Sequence, residues 1–379
     1  MRGSFMKILL LTQEPGQLKT DKTTLFGNRS CGLIDFEHRK LGNIVTQLTI
    51  SNLIVRAEKL FYTASGMEHE IDVSDYAGVL LRTWGDEKQE KLALHKILPF
   101  LEKKGIYPDN PSDSILMTCS KREMQYAIDK AGVISPKSFI VDSTYLSDVV
   151  KLDRAVSQLG NIFQTKSLDA TIYPAYVIKA DFGTHGAGVR MFKQGEEKEM
   201  KDHISSVIEG LASSKFCLMQ EYVKPKFTLS SEESSSAVYA GVPTARSAHY
   251  RVVMSRQIHN GFEMIGGIHF QRNGSWVSNS HCPVGTLFKE PLSPENLPQG
   301  LIQALTEVAN QLQLNQFGAD IIVDDDGQFY VLELNDGMGI SGDILEHQAV
   351  PQKYIKSHTE RILKSLSAEQ HYDRYTPSP

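Results

Sequence analysis

Apolar runs alternate with amphipathic stretches in the first hundred residues of the chain. Residues 7–11 and 78–81 are short, almost wholly apolar runs, which are typical of buried β-strands. Residues 87–104 have the longer period of a helix and are followed by Gly105, a residue type common just after helix ends. This alternation predicts an open α/β sheet over residues 6 to about 108.

The middle of the chain mixes helical periodicity with short β-rich runs. Helical stretches carry apolar residues three and four positions apart, whereas the strands are runs of a few apolar residues. The predicted helices are residues 119–131, 150–161 and 196–212. The predicted strands are residues 138–141 and 176–179.

An amphipathic helix leads into a hairpin in the last third of the chain. The helix is predicted over residues 301–314. Two β-rich runs follow, residues 319–323 and 329–334, and the acidic sequence DDDG between them is a turn signal. A closing helix is predicted over residues 348–366, with a polar tail after it.

Three polar side chains of the hairpin carry oxygen atoms suited to a hard cation. In an antiparallel pairing Asp320 lies about opposite Glu333, and the two-residue period puts Asn335 on the same face as Glu333. A solvated acidic hairpin explains residues 324–326, but not Glu333 and Asn335 in an otherwise apolar strand. Mg²⁺ is commonly held by one or two carboxylates plus substrate phosphates. The pattern therefore predicts a Mg²⁺ site, with Mn²⁺ as an alternative.

A glycine-rich segment follows the predicted strand at residues 176–179. Lys179 ends this strand, and Gly183, Gly186 and Gly188 follow within ten residues. Glycine lets backbone N–H groups approach an anion closely, and a lysine beside such a loop supplies positive charge. The spacing fits neither the P-loop nor the dinucleotide-binding fingerprint. A hairpin turn is the simpler interpretation of the glycines alone, but together with the metal hairpin they indicate a nucleotide triphosphate.

The order of these motifs resembles the ATP-grasp superfamily of carboxylate–amine ligases. Within it, the sequence is most similar to the ribosomal-protein glutamate ligases and the synapsins, over roughly residues 72–350. Ser120 stands where the family usually has an acidic residue before its first nucleotide lysine. The segments that carry the resemblance are residues 75–82, 110–111, 119–121, 131–136, 176–189, 218–223, 250–253 and 318–342.

The resemblance implies an α/β (α+β) ATP-grasp fold. In this fold an N-terminal open α/β domain precedes central and C-terminal ATP-grasp domains. The expected domains are residues 1–108, 109–223 and 224–367, and residues 368–379 are expected to form a flexible tail.

The resemblance also assigns residues to the site. Lys121 and Lys179 fall on the two nucleotide lysines, and Arg251 falls on the arginine that faces the transferred phosphoryl group. Asp320, Glu333 and Asn335 fall on the three metal ligands. The remaining positions implied for ATP are Gly183, Gly186, Gly188, Gln220, Glu221 and Val223.

The activity implied is ATP-dependent formation of an amide or peptide bond. Transfer of the γ-phosphoryl group turns a carboxylate into an acyl phosphate that an amine can attack, and Arg251 is expected to stabilise the charge that develops. A synapsin-like ATP-binding regulatory protein without ligation stays open, and so does an ATP-grasp kinase acting on a hydroxyl. The alternative for Arg251 is a salt-bridge arginine on an edge strand.

The substrate is expected to be a small molecule, an amino acid or a peptide. Arg246, His269 and Arg272 are candidates for binding an anionic substrate beside Arg251, and the sequence does not rank them. Acceptor pockets in one fold are built from variable loops, so the carboxylate and the amine cannot be named from these motifs.

Length, charge and cysteine content limit the possible partners and the cellular location of the protein. A chain of 379 residues is long enough for two or three domains, and a net charge of −5 argues against nucleic acid as a partner. No apolar run approaches the roughly 20 residues of a membrane span. Four scattered cysteines without a CxxC motif indicate a reducing compartment, so a cytoplasmic location is expected. Residues 1–4 resemble a vector leader, which makes Met6 the expected native start, and a homodimer is left open.

Overall fold

The computed structural model describes residues 5–13, 16–18, 25–27, 29–82, 92–146, 148–162, 175–181, 189–210, 216–225, 247–259, 261–272, 287–336, 340 and 343–373. The strands are β1 (Lys7–Thr12), β2 (Gly16–Leu18), β3 (Leu25–Gly27), β4 (Ile44–Thr49), β5 (Leu53–Arg56), β6 (Lys59–Ala64), β7 (Met67–Ile71), β8 (Gly78–Arg82), β9 (Tyr107–Pro108), β10 (Ser138–Asp142), β11 (Tyr176–Ala180), β12 (Arg190–Phe192), β13 (Phe216–Glu221), β14 (Ser247–Gln257), β15 (Gly261–Arg272), β16 (Leu287–Pro291), β17 (Gln316–Val323) and β18 (Phe329–Asn335). The helices are α1 (Arg29–Lys40), α2 (Leu98–Lys103), α3 (Ser112–Cys119), α4 (Lys121–Lys130), α5 (Ser143–Leu146), α6 (Val149–Ile162), α7 (Glu197–Gly210), α8 (Leu301–Gln311), α9 (Asp343–His347) and α10 (Val350–Asp373).

The first sheet is parallel, with strand order β4-β1-β8-β9. Residues 8–11 of β1 are fully buried on both faces. Both faces of a parallel sheet are covered by other elements, which explains why its strands are apolar without alternation. The predicted open α/β sheet at the N-terminal end is therefore confirmed.

The second sheet is antiparallel, with order β10-β13-β11-β12. Apolar residues of α6 and α7 pack on it and form one core. The predicted strands at residues 138–141 and 176–179 and the helices at 150–161 and 196–212 are confirmed, with ends shifted by one or two residues.

The third sheet is antiparallel, with order β16-β15-β14-β17-β18. Helices α4 and α8 pack on one of its faces in a shared core. Helix α10 joins a second core that contains residues of the first and third sheets. The predicted helix at residues 301–314 and the hairpin after it are confirmed, although α8 ends at Gln311.

Two features differ from the sequence prediction. Helix α10 continues to Asp373, beyond the predicted end at residue 366 and the predicted tail start at 368, because no glycine or proline interrupts the chain before Pro377. Residues 374–379 lie outside the described part. The antiparallel sheet β5-β6-β7 was not predicted, because its last strand is polar and mostly exposed. The domain bounds stay a prediction.

Helix α10 is the longest helix that the structure describes, with 24 residues. Charged residues recur along it, including Lys353, Lys356 and Glu360. Among the described residues, no helix combines the length and the apolar character that a bilayer crossing requires.

Candidate active site

The hairpin of β17 and β18 brings the predicted metal ligands together. Asp320 pairs with Glu333 and Gly318 pairs with Asn335 across the two strands. The side-chain amide of Asn335 donates a hydrogen bond to Glu333 Oε1 at 3.3 Å. Asp320 is 7% exposed. The predicted register and the shared face of Glu333 and Asn335 are confirmed.

A bulge in β18 follows this group. Asp320 pairs with Glu333, whereas Ile321 pairs with Val331, so Leu332 is an extra residue on that strand. A bulge bends a strand and changes the direction of its side chains. Residues on both sides of the bulge enter the same core, Ala319 and Leu334 on one side and Ile321 and Val331 on the other.

The acidic turn between β17 and β18 has a structural role, unlike the candidate metal ligands Asp320, Glu333 and Asn335. Asp324 Oδ1 accepts hydrogen bonds from the backbone N–H groups of Asp326 at 3.0 Å and Gln328 at 2.9 Å. Gly327 has a φ of +81°, a left-handed conformation that glycine adopts without strain. Asp324 therefore closes the turn and does not belong to the ligand group.

Arg251 lies on β14 directly opposite Asp320 of β17. Its Nε and Nη2 donate to the two oxygens of Asp320, each at 2.7 Å. The negative charge of Asp320 raises the pKa of Arg251, which keeps the guanidinium charged. The alternative expected a salt-bridge arginine on an edge strand. The salt bridge is present, but β14 lies between β15 and β17 and is not an edge strand.

Two lysines from other elements complete the charged group. Lys179, on β11, has a pKa lowered from 10.5 by burial and by the positive charge of Lys121, while Glu333 and Asp320 act in the opposite direction. Lys121 is the first residue of α4 and is 9% exposed. The structure therefore brings Lys179 close enough for its charge to interact with the carboxylates of the hairpin, and it brings Lys121 close enough to interact with Lys179.

Strand β13 carries the residues predicted to hold the adenosine. It is hydrogen-bonded to β11, with Gln220 opposite Val177. Gln220 Nε2 donates to Gln125 Oε1 at 3.1 Å, and Glu221 Oε1 accepts from the backbone N–H of Lys137 at 2.9 Å. Val223 is half-buried just after the strand, whereas the predicted phosphate-loop residues Gly183, Gly186 and Gly188 lie outside the described residues.

His269 does not join the site. It pairs with Tyr250 across β14 and β15, and the two rings stack with centroids 4.6 Å apart. Because neighbouring residues of a strand point to opposite faces, Tyr250 and His269 lie on the face away from Arg251. The expectation that His269 lies beside Arg251 is therefore wrong. Arg246 and the side chain of Arg272 lie outside the described part.

Asp181 is a residue near the site that the sequence reasoning did not identify. It directly follows β11, it is 2% exposed, and its carboxylate accepts a hydrogen bond from Ser120 at 3.0 Å. A carboxylate two residues beyond Lys179 was visible in the sequence. Its partner is 61 positions away, so only the fold shows the contact.

The oxygen donors suit Mg²⁺ better than a metal that needs a complete protein cage. Among the described residues, no three His, Cys, Asp or Glu side chains form a cluster that could hold a metal ion. Asp320, Glu333 and Asn335 offer two carboxylates and an amide, and Mg²⁺ commonly completes such a set with phosphate oxygens and water. Both Asp320 oxygens accept from Arg251, so a cation at Asp320 would share this carboxylate with the guanidinium.

The fold has relatives among solved structures, although the sequence matches no protein-family model and no curated protein. D-alanyl-alanine synthetase A from Vibrio cholerae is 13% identical, with a TM-score of 0.60 over 95% of this chain and 99% of that chain. A D-alanine–D-alanine ligase from Bacillus anthracis complexed with ATP is 14% identical, with a TM-score of 0.55 over 96% and 99%. The ATP-grasp ligase PsnB complexed with minimal precursor is 15% identical, with a TM-score of 0.54 over 93% and 100%. This chain has the ATP-grasp ligase fold, as predicted.

Proposed function

We propose that this chain is an ATP-dependent carboxylate–amine ligase that forms an amide or peptide bond through an acyl phosphate. The observation that carries the proposal is the convergence of four charged residues from four strands. Asp320 and Glu333 of the β17–β18 hairpin meet Arg251 of β14 and Lys179 of β11, which are distant from the hairpin in sequence. Relatives in fold are named as ligases of D-alanine, and one was solved with ATP. Substrates of amino-acid or peptide size fit this group, which includes PsnB with its precursor.

ATP is proposed to bind between the domains formed by residues 109–223 and 224–367. Lys121 and Lys179 neutralise its phosphates, and the glycine loop covers them. The hinge residues Gln220, Glu221 and Val223 hold the adenosine. Asp320, Glu333 and Asn335 would hold Mg²⁺, which would neutralise negative charge on the phosphates of ATP.

The chemistry needs positioning and charge neutralisation more than covalent catalysis by the protein. A substrate carboxylate oxygen attacks the γ-phosphorus, the bond to the β–γ bridging oxygen breaks, and ADP leaves. The amine then attacks the carbonyl carbon, loses a proton to solvent, and inorganic phosphate departs with the former carboxylate oxygen. In this proposal Arg251 stabilises the acyl phosphate and the oxyanion that follows.

Hydroxylamine capture tests the proposal with Glu333→Gln as the informative variant. Wild-type protein with Mg-ATP, hydroxylamine and pooled carboxylic acids, amino acids and peptides is expected to form a hydroxamate. Glu333→Gln is expected to lose at least about a hundredfold in rate, since a metal ligand supports several kcal/mol of charge stabilisation. Asp325→Asn, in the exposed turn of the same hairpin, is the matched control and should retain activity. A Glu333→Gln variant with near-wild-type turnover contradicts the metal assignment.

A further inference from the structure

The carboxylate of Asp181 is buried against the N-terminus of α4. Ser120 Oγ and the backbone N–H of Arg122 both donate to Asp181 Oδ1, each at 3.0 Å. The first N–H groups of a helix have no partner within the helix, and the N-terminus favours negative charge. Asp181 supplies an acceptor and a charge from a different element, because it follows β11 and not the segment before α4.

A backbone hydrogen bond also joins the end of β11 to the start of α4. The N–H of Lys121 donates to the carbonyl oxygen of Asp181 at 3.1 Å. Ser120 is the N-cap residue of α4, and its Oγ also accepts from the N–H of Glu123 at 3.2 Å. The start of α4 is thus held to the end of β11 by both the backbone and the side chain of a single residue.

The two lysines of the site are at either end of this connection. Lys121 is the first residue of α4, and Lys179 precedes Asp181 by two residues on β11. Their positive charges repel each other, and this repulsion contributes to the lowered pKa of Lys179. Because the hydrogen bonds of Asp181 hold the start of α4 to the end of β11, they keep the positive charges of Lys121 and Lys179 close together before ATP binds.

We propose that Asp181 is a positioning residue that sets the spacing of Lys121 and Lys179 for the phosphates of ATP. The inference rests on the proposed function, since it takes ATP as the ligand of both lysines. Asp181 acts through the helix N-terminus and does not itself contact the nucleotide. Its removal lets α4 and β11 move relative to each other, so that the lysines no longer meet the phosphates together.

Calorimetric titration of Mg-ATP into the folded protein tests this role. Asp181→Ala is expected to bind ATP about ten- to a hundredfold more weakly, by analogy with the loss of a hydrogen-bonded support of a metal ligand. Asp181→Asn keeps an acceptor oxygen for Ser120 and Arg122 and should stay within a few-fold of wild type. At saturating ATP, Asp181→Ala should keep a kcat close to wild type, because Arg251 and the hairpin are unchanged.

Asp142→Ala is a matched control in the same sheet. Asp142 ends β10 and accepts from the N–H and hydroxyl of Thr144 at the start of α5, at 2.9 and 2.6 Å. It also joins a strand end to a helix start, but it contacts neither lysine segment. Its removal should leave ATP affinity unchanged, which separates loss of a helix cap in general from loss of lysine spacing.

An exchange of the two partners provides a second measurement. The double variant Ser120→Asp, Asp181→Ser returns a carboxylate and a hydroxyl to the same contact with their positions reversed. It is expected to recover most of the affinity that Asp181→Ala loses, and Ser120→Ala should show an intermediate loss.

The proposal is overturned if folded Asp181→Ala binds Mg-ATP within twofold of wild type. It is also overturned if the exchanged pair binds Mg-ATP no more tightly than Asp181→Ala. If part of the Asp181→Ala protein is insoluble, its affinity is measured on the soluble protein and compared in the same way. Wild-type protein that does not bind Mg-ATP contradicts the proposed function itself, and this result is distinct from unchanged affinity in a variant.

Discussion

Arg251 and the proposed metal share one carboxylate. The guanidinium engages both oxygens of Asp320, and the pair is largely shielded from water, since the side chain of Arg251 is 28% exposed and that of Asp320 is 10% exposed. A bidentate pair of this kind has strong geometric preference. A cation bound at Asp320 would compete with Arg251 for the carboxylate, and the guanidinium would then be more available to an anion. In the proposed reaction that anion is the transferred phosphoryl group.

Replacing Arg251 with methionine is expected to separate these two tasks. Turnover should fall at least about a hundredfold, as is typical when one donor to a developing oxyanion is lost. Affinity for Mn²⁺ should hold or rise, because Asp320 no longer has a competing cation. Mn²⁺ titration followed by electron paramagnetic resonance measures this affinity, with Glu333→Gln as the control that loses it. A weaker Mn²⁺ affinity in Arg251→Met contradicts the competition.

The sequence predicted the positions of some residues of the site but not of others. Asp320, Glu333 and Asn335 were predictable, because a short hairpin fixes cross-strand partners by counting. The bulge at Leu332 and the contact between Ser120 and Asp181 were not, since the first depends on local twist and the second on chain segments far apart. The face of the sheet on which His269 lies could not be predicted, because the sequence analysis did not predict β15 or its pairing with β14.

Close packing of β15 against the start of α10 illustrates what holds the elements of the third sheet in place. Gly266 leaves so little room that an added Cβ would lie 2.3 Å from Val350 Cγ2 and 2.8 Å from Gln348 Oε1. Gln348 Oε1 also accepts from the N–H of Gly267 at 2.9 Å. The sequence predicted these elements from periodicity, but the close approach of strand and helix shows only in three dimensions.

Gly266→Ala is expected to destabilise the protein by about 1–3 kcal/mol, the usual cost of overpacking. Val350 is β-branched and has little rotamer freedom with which to yield. Gly78→Ala is the comparison, because the closest atom there is the flexible end of Ile362, and its cost should be smaller. Urea unfolding measures both, and adding Val350→Ala to Gly266→Ala should recover part of the loss. Equal costs at the two glycines contradict this account of the contact.

Helix α10 connects the first and third sheets through a buried polar network. Tyr354 of α10 receives a hydrogen bond from Arg82 and donates one to Asp109, and Arg361 Nη2 lies 3.3 Å from Asp109 Oδ1. Breaking a buried charged pair by removing one partner is strongly destabilising. The open sheet and the closing helix were predictable separately from apolar patterning. Their joint core was not, because residues more than 200 positions apart meet in it.

Acid is expected to weaken the packing of α10 against α1, because two buried histidines, one on each helix, lie side by side there. His38 of α1 and His358 of α10 lie with ring centroids 5.8 Å apart, and both are fully buried. Burial lowers the pKa of His38 from 6.5 to about 3. Burial also lowers the pKa of His358, and the positive charges of His38, Arg361 and Arg82 lower it further. Because the folded state holds both rings neutral, the stability that they contribute is present above pH 6.5 and is lost as the pH falls below it.

The free energy of unfolding should therefore decrease below pH 6.5, with a slope that approaches about 1.4 kcal/mol per pH unit for each histidine. Urea unfolding at a series of pH values measures this slope. His38→Gln should reduce it, whereas His69→Gln, at an exposed position on β7, should not. A slope unchanged by His38→Gln contradicts the assignment of the acid sensitivity to the helix contact.

Transfer of oxygen from the substrate tests the central claim most directly. The carboxylate that supports turnover is labelled with ¹⁸O and incubated with Mg-ATP, the amine and wild-type protein, and the inorganic phosphate is analysed by mass spectrometry. Acyl-phosphate chemistry predicts one ¹⁸O in each phosphate released, in step with ADP and amide. Phosphate without label, or ADP formed together with a stable phosphorylated alcohol, would contradict the ligase account.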